Sequence, residues 1–270
     1  MKSKKEQEIE NKLNVPVDRK IDKYGWNFEN QLGQGAFGKV YLGKDMTTNE
    51  AVAVKIYAKD LITKNNLDEQ IKKEVQLMRE IKSENVVFLV NCFETEKNIY
   101  IVQEFCNSGD LSKYMETKKN IPEAEALDIL GQMVKGLHEL ILREIAHRDI
   151  KPDNIFMHER KDGKIIYKIG DFGFAKHIPK QSLMQSILGT PLYMSPQIMK
   201  NQNYTSKCDI WSLGAIYYEM LYAKSPWKVT SLVDLRNDVM RGVVVFPSYP
   251  IVLFSQNRSI LSRSPKKARI

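Results

Sequence analysis

Apolar and polar residues alternate along the first part of the chain, and this alternation predicts β-strands. The run FENQLGQGAFGKVYLGKD at residues 28–45 predicts two strands around a glycine-rich turn, and AVAVKIYAK at 51–59 predicts a third. Two more strands are expected in VVFLVNCFET at 86–95 and NIYIVQEF at 98–105. The first three runs predict a β-meander, and all five predict a small sheet.

A helix with one apolar face is predicted between the third and fourth strands. In residues 67–81, Ile71, Val75, Met78 and Ile81 follow i, i+4, i+7 and i+10 spacing. After the last strand, DLSKYMETKK and EAEALDILGQMVKGLHELILRE are typical of helices. Strands followed by helices predict an α+β chain with a sheet-rich lobe at 24–104 and a helical lobe at 105–270. A ligand is expected in the crevice between them.

The two ends differ from this pattern. Residues 1–23 are rich in Lys, Glu, Asn and Gln, and we interpret them as an extension that is mobile or forms a short surface helix. After FPSYP at 246–250 the chain is basic and lacks apolar helical spacing. The main domain is therefore predicted over residues 24–270.

Composition narrows the class of protein. The chain has 270 residues, of which 43% are hydrophobic, so it can bury a core. Its net charge of +8 does not by itself identify a partner, and no aromatic-and-basic motif indicates nucleic-acid binding. The cysteines, Cys92, Cys106 and Cys208, are too far apart for a zinc or dithiol motif, which favours a reduced, cytoplasmic location. No signal peptide or membrane span is predicted.

Candidate chemistry begins with LGQGAFGKV at residues 32–40. Gly33, Gly35 and Gly38 let backbone amides approach phosphate oxygens without interference from a Cβ atom. Taken alone, the motif also fits a plain hairpin turn. A dinucleotide-binding fold has similar glycines, but there they open a helix, whereas here they lie between two strands.

A lysine ends the third apolar strand, in VAVK at residues 52–55. A lone lysine at this position is satisfied by extending its ammonium into solvent. The following helix carries Glu74, however, which could pair with Lys55 and hold it against nucleotide phosphates.

Two further motifs carry acids and amides suited to phosphoryl transfer. HRDIKPDN at 147–154 supplies Asp149 to accept a hydroxyl proton, Lys151 to neutralise a transferred phosphoryl group and Asn154 as an oxygen ligand for magnesium. KIGDFGFAK at 168–176 supplies Asp171 as a second magnesium ligand.

These motifs, in this order, resemble those of eukaryotic protein kinases over residues 24 to about 247. The resemblance implies a bilobal enzyme that transfers the γ-phosphoryl group of ATP, with Mg²⁺, to protein substrates. Lys151 and the sequence GTPLYMSP at 189–196 are similar to serine/threonine kinases. LGTPLYMSPQIM and DIWSLGAIYYEMLYAKSPW most resemble the autophagy-initiating Unc-51-like kinases.

The resemblance also implies roles that spacing alone does not indicate. Gln103 would be the gatekeeper, and Asp209 would brace the catalytic loop. Asp110 would reach the ribose, although it fits equally well as the N-cap of the helix after it. The adenine would be enclosed by Leu32, Val40, Ala53, Glu104, Cys106 and Phe156.

A regulatory phosphorylation is expected by the same resemblance. Arg148, next to His147, is the cation that in many kinases requires a phosphorylated activation loop. Ser186 is the first candidate and Ser182 the second. Both serines are alternatively ordinary loop residues.

The chain departs from the family at two places. Ser195-Pro196-Gln197 stands where Ala-Pro-Glu is usual, so a carboxylate that normally pairs with a buried arginine is missing. Arg269 is either a remnant of that arginine or part of a basic tail. The large lobe is expected to be incomplete. Such a lobe would need a partner to cover it, or the chain would be an inactive nucleotide-binding scaffold.

Overall fold

The computed structural model describes residues 4–35, 38–66, 68–171, 190–200, 206–227, 230–247 and 268–269. Within these ranges a sheet-rich lobe precedes a helical lobe, as the sequence predicts.

The small lobe is built on an antiparallel sheet of six strands in the order β1-β2-β3-β4-β6-β5. The strands are β1 (Arg19–Ile21), β2 (Tyr24–Gln34), β3 (Gly38–Asp45), β4 (Ala51–Ala58), β5 (Leu89–Glu94) and β6 (Asn98–Glu104). Strands β2, β3 and β4 confirm the meander predicted from the alternating pattern. The two later strands are also present, but β6 pairs with β4 and places β5 at the edge of the sheet.

The N-terminal segment contributes structure to this lobe. Residues Lys4–Leu13 form helix α1, and β1 pairs with the start of β2, Arg19 lying opposite Trp26. The pattern of residues 1–23 did not predict that edge strand. The side-chain amides of Asn27 and Asn30 donate to the carbonyls of Pro16 and Lys12, which fastens the segment to β2.

Helices α2 (Lys59–Lys64) and α3 (Asp68–Glu80) follow β4. The apolar face predicted for α3 is confirmed, because Ile71, Val75, Met78 and Ile81 are all buried. They pack on one face of the sheet. The opposite face carries its own apolar cluster, centred on Tyr24, Trp26, Tyr41, Val52, Val54 and Val102.

The large lobe is mainly helical. Its helices are α4 (Leu111–Lys118), α5 (Glu123–Ile141), α6 (Pro196–Met199), α7 (Lys207–Tyr222) and α8 (Leu232–Arg241). A hairpin of β7 (Ile155–Glu159) and β8 (Ile165–Ile169) packs on α5, and β9 (Val243–Val244) pairs with β10 (Ala268–Arg269). The end of the lobe that the sequence suggests is incomplete falls mostly on residues 248–267, outside the described residues.

Two backbone connections join the described parts of the lobes. The first is the chain itself, where β6 leads into α4. The second is a short bridge, in which Val87 N donates to Ile169 O at 2.7 Å and Ile169 N donates to Asn85 O at 2.9 Å. Helix α5 approaches this bridge through Gly136, where a Cβ atom would lie 2.5 Å from Asn85 O. A glycine is needed at this position.

In the described part of the chain, no helix combines the length and apolar character needed to cross a bilayer.

Candidate active site

A buried carboxylate organises the loop that contains Asp149. Asp209, in the first turn of α7, is 1% exposed and accepts hydrogen bonds from His147 N at 2.8 Å and Arg148 N at 2.7 Å. Two bonds to one carboxylate satisfy an anion that would otherwise be costly to bury. They also hold Arg148 at a φ of 68°, a conformation that few residues other than glycine adopt.

His147 connects this loop to the strand that precedes Asp171. Its Nε2 lies 3.0 Å from Gly170 O, and its Nδ1 accepts from Asp149 N at 3.3 Å. With Nδ1 as the acceptor, Nε2 is the ring nitrogen that donates to Gly170 O. Because His147 is 1% exposed, these contacts fix the relative position of the two loops.

Asp149 is oriented by two neighbours in the same loop. The Asn154 side-chain nitrogen donates to the Asp149 backbone oxygen at 2.8 Å and to its Oδ2 at 2.9 Å. Lys151 Nζ lies 3.3 Å from the same Oδ2. Since Asn154 uses its nitrogen here, its amide oxygen is the atom suited to a cation.

Lys55 and Asp171 form an ion pair across the crevice, between the middle of β4 and the residue two places after β8. Burial by itself lowers the pKa of Lys55, but the Asp171 carboxylate and Tyr57 more than reverse this, so the pKa is raised. The charge of Lys55 lowers the pKa of Asp171. Both groups are therefore ionised at neutral pH. The backbone of Asp171 is in the left-handed region, with a φ of 58°.

The glycine-rich turn lies beside this pair, because Val40 is directly opposite Lys55 in the sheet. Gly35 N donates to Gly38 O at 2.8 Å across the turn. A Cβ atom at Gly33 would meet no atom within 4 Å, whereas one at Gly38 would lie 2.1 Å from Ile56 O. The turn thus has open space at its start and none at its end.

The residues expected around adenine belong to both lobes, and their contact with adenine stays a prediction. Ala53 lies opposite Gln103 in the sheet, and Phe156 is bridged to Asp110 in the large lobe. Glu104 N donates to Phe88 O at 3.0 Å. Burial raises the pKa of the nearby Cys106 thiol to about 12, so it is not a thiolate at neutral pH. Leu32 is 47% exposed.

Asp110 caps helix α4. Its Oδ1 accepts from Lys113 N at 3.0 Å, and Lys113 Nζ lies 3.1 Å from its Oδ2. The capping alternative considered for the sequence is therefore present, and contact with a ribose stays a prediction.

Three of the predicted site residues lie outside the description. The backbone of Glu74 belongs to α3, but its side chain is not described. Ser182 and Ser186 both fall in the undescribed range 172–189.

Lys168 opens the KIGDFGFAK motif, but the motif by itself predicts no role for it. It is 7% exposed, three residues before Asp171, and its Nζ lies 3.0 Å from Oε1 of Glu104. That same oxygen accepts from Phe88 N at 2.7 Å. The available signal was a lysine within the apolar run IIYKI, which needs an anionic partner if it is buried.

The triplet Ser195-Pro196-Gln197, which stands where Ala-Pro-Glu is usual, lies among the described residues. Ser195 is 1% exposed, and its Oγ has no hydrogen-bond partner among the described residues. The side chain of Gln197 is exposed. In the described part of the structure, Gln197 is therefore not placed for the buried pairing expected of a glutamate at this position.

The arrangement of lobes, glycine turn, lysine and acids defines a class of protein. The pattern of the protein kinase domain matches residues 26–263, and the chain belongs to that family. Members of the family use ATP with magnesium and act on proteins.

Among known proteins, the chain is similar to serine/threonine kinases of the Atg1 and Unc-51-like group, as the sequence suggested. It is 38% identical over 226 residues to the serine/threonine-protein kinase atg1 of Dictyostelium discoideum, covering 82% of this chain and 34% of that protein. It is 34% identical over 219 residues to ATG1b of Arabidopsis thaliana, covering 81% and 30%. For ULK1 of Homo sapiens, identity is 31% over 236 residues, covering 85% and 22%. The chain spans about a third or less of these relatives.

Proposed function

We propose that this chain transfers the γ-phosphoryl group of ATP to serine or threonine hydroxyls of proteins. The observation that carries the proposal is the convergence of the Lys55–Asp171 pair and the Asp149–Asn154 pair, linked through His147 and Gly170. The similarity to serine/threonine kinases supports the same chemistry.

The residues present fit a magnesium ion and a nucleotide. Asp171 and Asn154 supply hard oxygen donors of the kind magnesium prefers, with phosphate and water completing its coordination. When bound, magnesium neutralises charge on the β- and γ-phosphate oxygens. Lys55, held cationic by Asp171, is suited to bind phosphate oxygens.

Each remaining residue has a role that follows from its contacts. Asp149, oriented by Asn154, accepts the proton of the substrate hydroxyl, and Lys151 places positive charge beside the transferred group. The glycine-rich turn lets the backbone approach and cover the phosphates. Catalysis then comes mainly from positioning and charge stabilisation.

A second candidate function is favoured by one observation. Gln197 is exposed where the family pattern has a paired glutamate, which fits a nucleotide-binding scaffold with little turnover. A protein partner that covers the large lobe belongs to this candidate.

The proposed location is the cytoplasm, supported by three cysteines that are free thiols. Proteins, and not nucleic acids, are the proposed substrates and partners.

The test uses the full chain with ATP, magnesium and a generic serine peptide. Asp149→Asn and Asp171→Asn should each lower phosphate transfer at least a hundredfold, while Asp162→Asn, a matched change on an exposed loop, should leave it unchanged. If the native chain transfers nothing but its melting temperature rises with nucleotide, the scaffold function is correct. If the native chain shows neither phosphate transfer nor stabilisation by nucleotide, both candidate functions are rejected.

A further inference from the structure

The sheet of the small lobe carries a groove on the face turned away from the crevice. Successive strand residues point to opposite faces, so Ile56 lies opposite to Lys55, which reaches Asp171. Ile56 lines a cavity of about 400 Å³. The same cavity is bounded by Arg19, Trp26, Phe28, Lys39, Tyr41 and Tyr100, together with Ala58, Leu61, Asn98 and the glycine turn.

Apolar side chains from different elements are exposed at this groove. Phe28 of β2 is 47% exposed and Leu61 of α2 is 40% exposed, whereas Tyr41 beneath them is 5% exposed. The guanidinium of Arg19, on β1, lies 5.3 Å from the centre of the Phe28 ring, which holds both side chains at the rim. Exposed apolar surface around an aromatic floor is typical of protein-binding sites.

The charge of the groove is one-sided. Among the described residues that line it, Arg19 and Lys39 are cationic and none is a carboxylate. An anionic ligand therefore complements it. A second copy of this chain is a poor occupant, because its net charge of +8 would bring like charge to the rim.

We propose that this groove binds an acidic segment of a partner protein, which inserts aromatic or aliphatic side chains between Phe28 and Leu61. Its carboxylates pair with Arg19 and Lys39. One end of the groove is formed by Gln34, Gly35 and Gly38, so the bound segment contacts the back of the glycine-rich turn.

The location gives the groove a regulatory role. A segment that packs against the turn changes its freedom, and therefore changes the affinity of the nucleotide site on the other side. By linkage, nucleotide changes the affinity for the segment by the same factor. This second part rests on the proposed function, whereas binding of the segment does not.

The test is selection of random twelve-residue peptides displayed on phage against the full chain. The enriched peptides should combine several Asp or Glu residues with Phe, Trp or Leu. A fluorescent copy of the consensus should bind the native chain, and Arg19→Glu should weaken binding about tenfold. Lys20→Glu is the matched control, since it makes the same charge change one residue away, on the opposite face of β1.

The outcomes separate the two parts. Lack of an acidic and apolar consensus, or equal weakening by Arg19→Glu and Lys20→Glu, would overturn the binding site. If the peptide binds as expected but the affinity for ATP without magnesium stays the same at saturating peptide, the regulatory role is wrong. Failure of the chain to bind ATP in the absence of peptide counts against the proposed function alone.

Discussion

The carboxylate of Glu104 and the ammonium of Lys168 lie 3.0 Å apart where the two lobes meet. Glu104 is the last residue of β6, and Lys168 belongs to the strand that ends just before Asp171. Because the same carboxylate also accepts from Phe88 N, it links the connection between the lobes to the small lobe and to β8.

Removing one partner of this pair is expected to destabilise the fold. Glu104→Gln leaves the ammonium of Lys168 nearly buried without a counter-charge, and should lower the free energy of unfolding by about 3 kcal/mol. Lys168→Met should cost less, because the side chain of Glu104 is more exposed, at 24% against 9%. Urea unfolding measures both.

The double variant is the control for direct coupling. Glu104→Gln with Lys168→Met should cost less than the two single changes added together. Additive losses would show that the two side chains stabilise the chain independently.

The two ends of the glycine turn should respond differently to one methyl group. Gly38→Ala places Cβ 2.1 Å from Ile56 O, a backbone atom that moves only if β4 shifts, so we expect a loss of about 2 kcal/mol. Gly33→Ala enters open space and should change stability by less than about 0.5 kcal/mol. Thermal unfolding without nucleotide compares them, and equal losses would contradict the geometry.

Glu219 should make stability depend on pH. Tyr193 Oη donates to its Oε2 at 2.6 Å, but burial raises the pKa of Glu219 above the ordinary value of 4.5. As pH rises, the Glu219 carboxyl loses its proton at a lower pH in the unfolded chain than in the folded chain. The native chain therefore loses stability between the pKa of Glu219 in the unfolded state and its pKa in the folded state. Glutamine does not titrate. The stability of Glu219→Gln relative to the native chain should therefore increase from pH 4 to pH 7.

Tyr193→Phe provides the matched variant for this prediction. Removing the Tyr193 hydroxyl removes a hydrogen bond that lowers the pKa of Glu219, so the pH dependence of stability should become stronger. Urea unfolding measures the stability difference between Glu219→Gln and the native chain. A difference that stays constant between pH 4 and pH 7 would contradict a raised pKa of Glu219.

Phosphorylation at Ser186 is predicted to raise activity. Ser186→Ala should lower peptide phosphorylation several-fold, because the phosphate expected to pair with Arg148 cannot form on alanine. Ser182→Ala should have the smaller effect. Phosphatase treatment should bring the native chain down to the level of Ser186→Ala, and unchanged turnover in that variant would reject the site.

Local pattern was enough to predict the elements of this fold. The spacing of Ile71, Val75, Met78 and Ile81 defines one helical face, and all four are buried. Strand alternation and the glycine turn likewise placed β2, β3 and β4 correctly. These elements are specified by residues close together in the sequence, and the position of each apolar side chain repeats with the period of the backbone.

Other features depend on contacts that a local pattern does not contain. β1 has three residues and is stabilised by pairing with Trp26, Gly25 and Tyr24. The charge pair of Glu104 and Lys168 joins residues 64 positions apart. Asp110 illustrates a third limit, since one carboxylate serves both as a predicted ligand contact and as an observed helix cap.

The two backbone connections between the described parts of the lobes restrict how the crevice can open. The chain passes across at Glu104, and the hydrogen bonds of Asn85 and Val87 with Ile169 form the other connection. Two fixed points define an axis, and rotation about it preserves both connections, whereas sliding or twisting one lobe breaks the backbone bridge. The motion that admits a nucleotide is therefore expected to have a single degree of freedom.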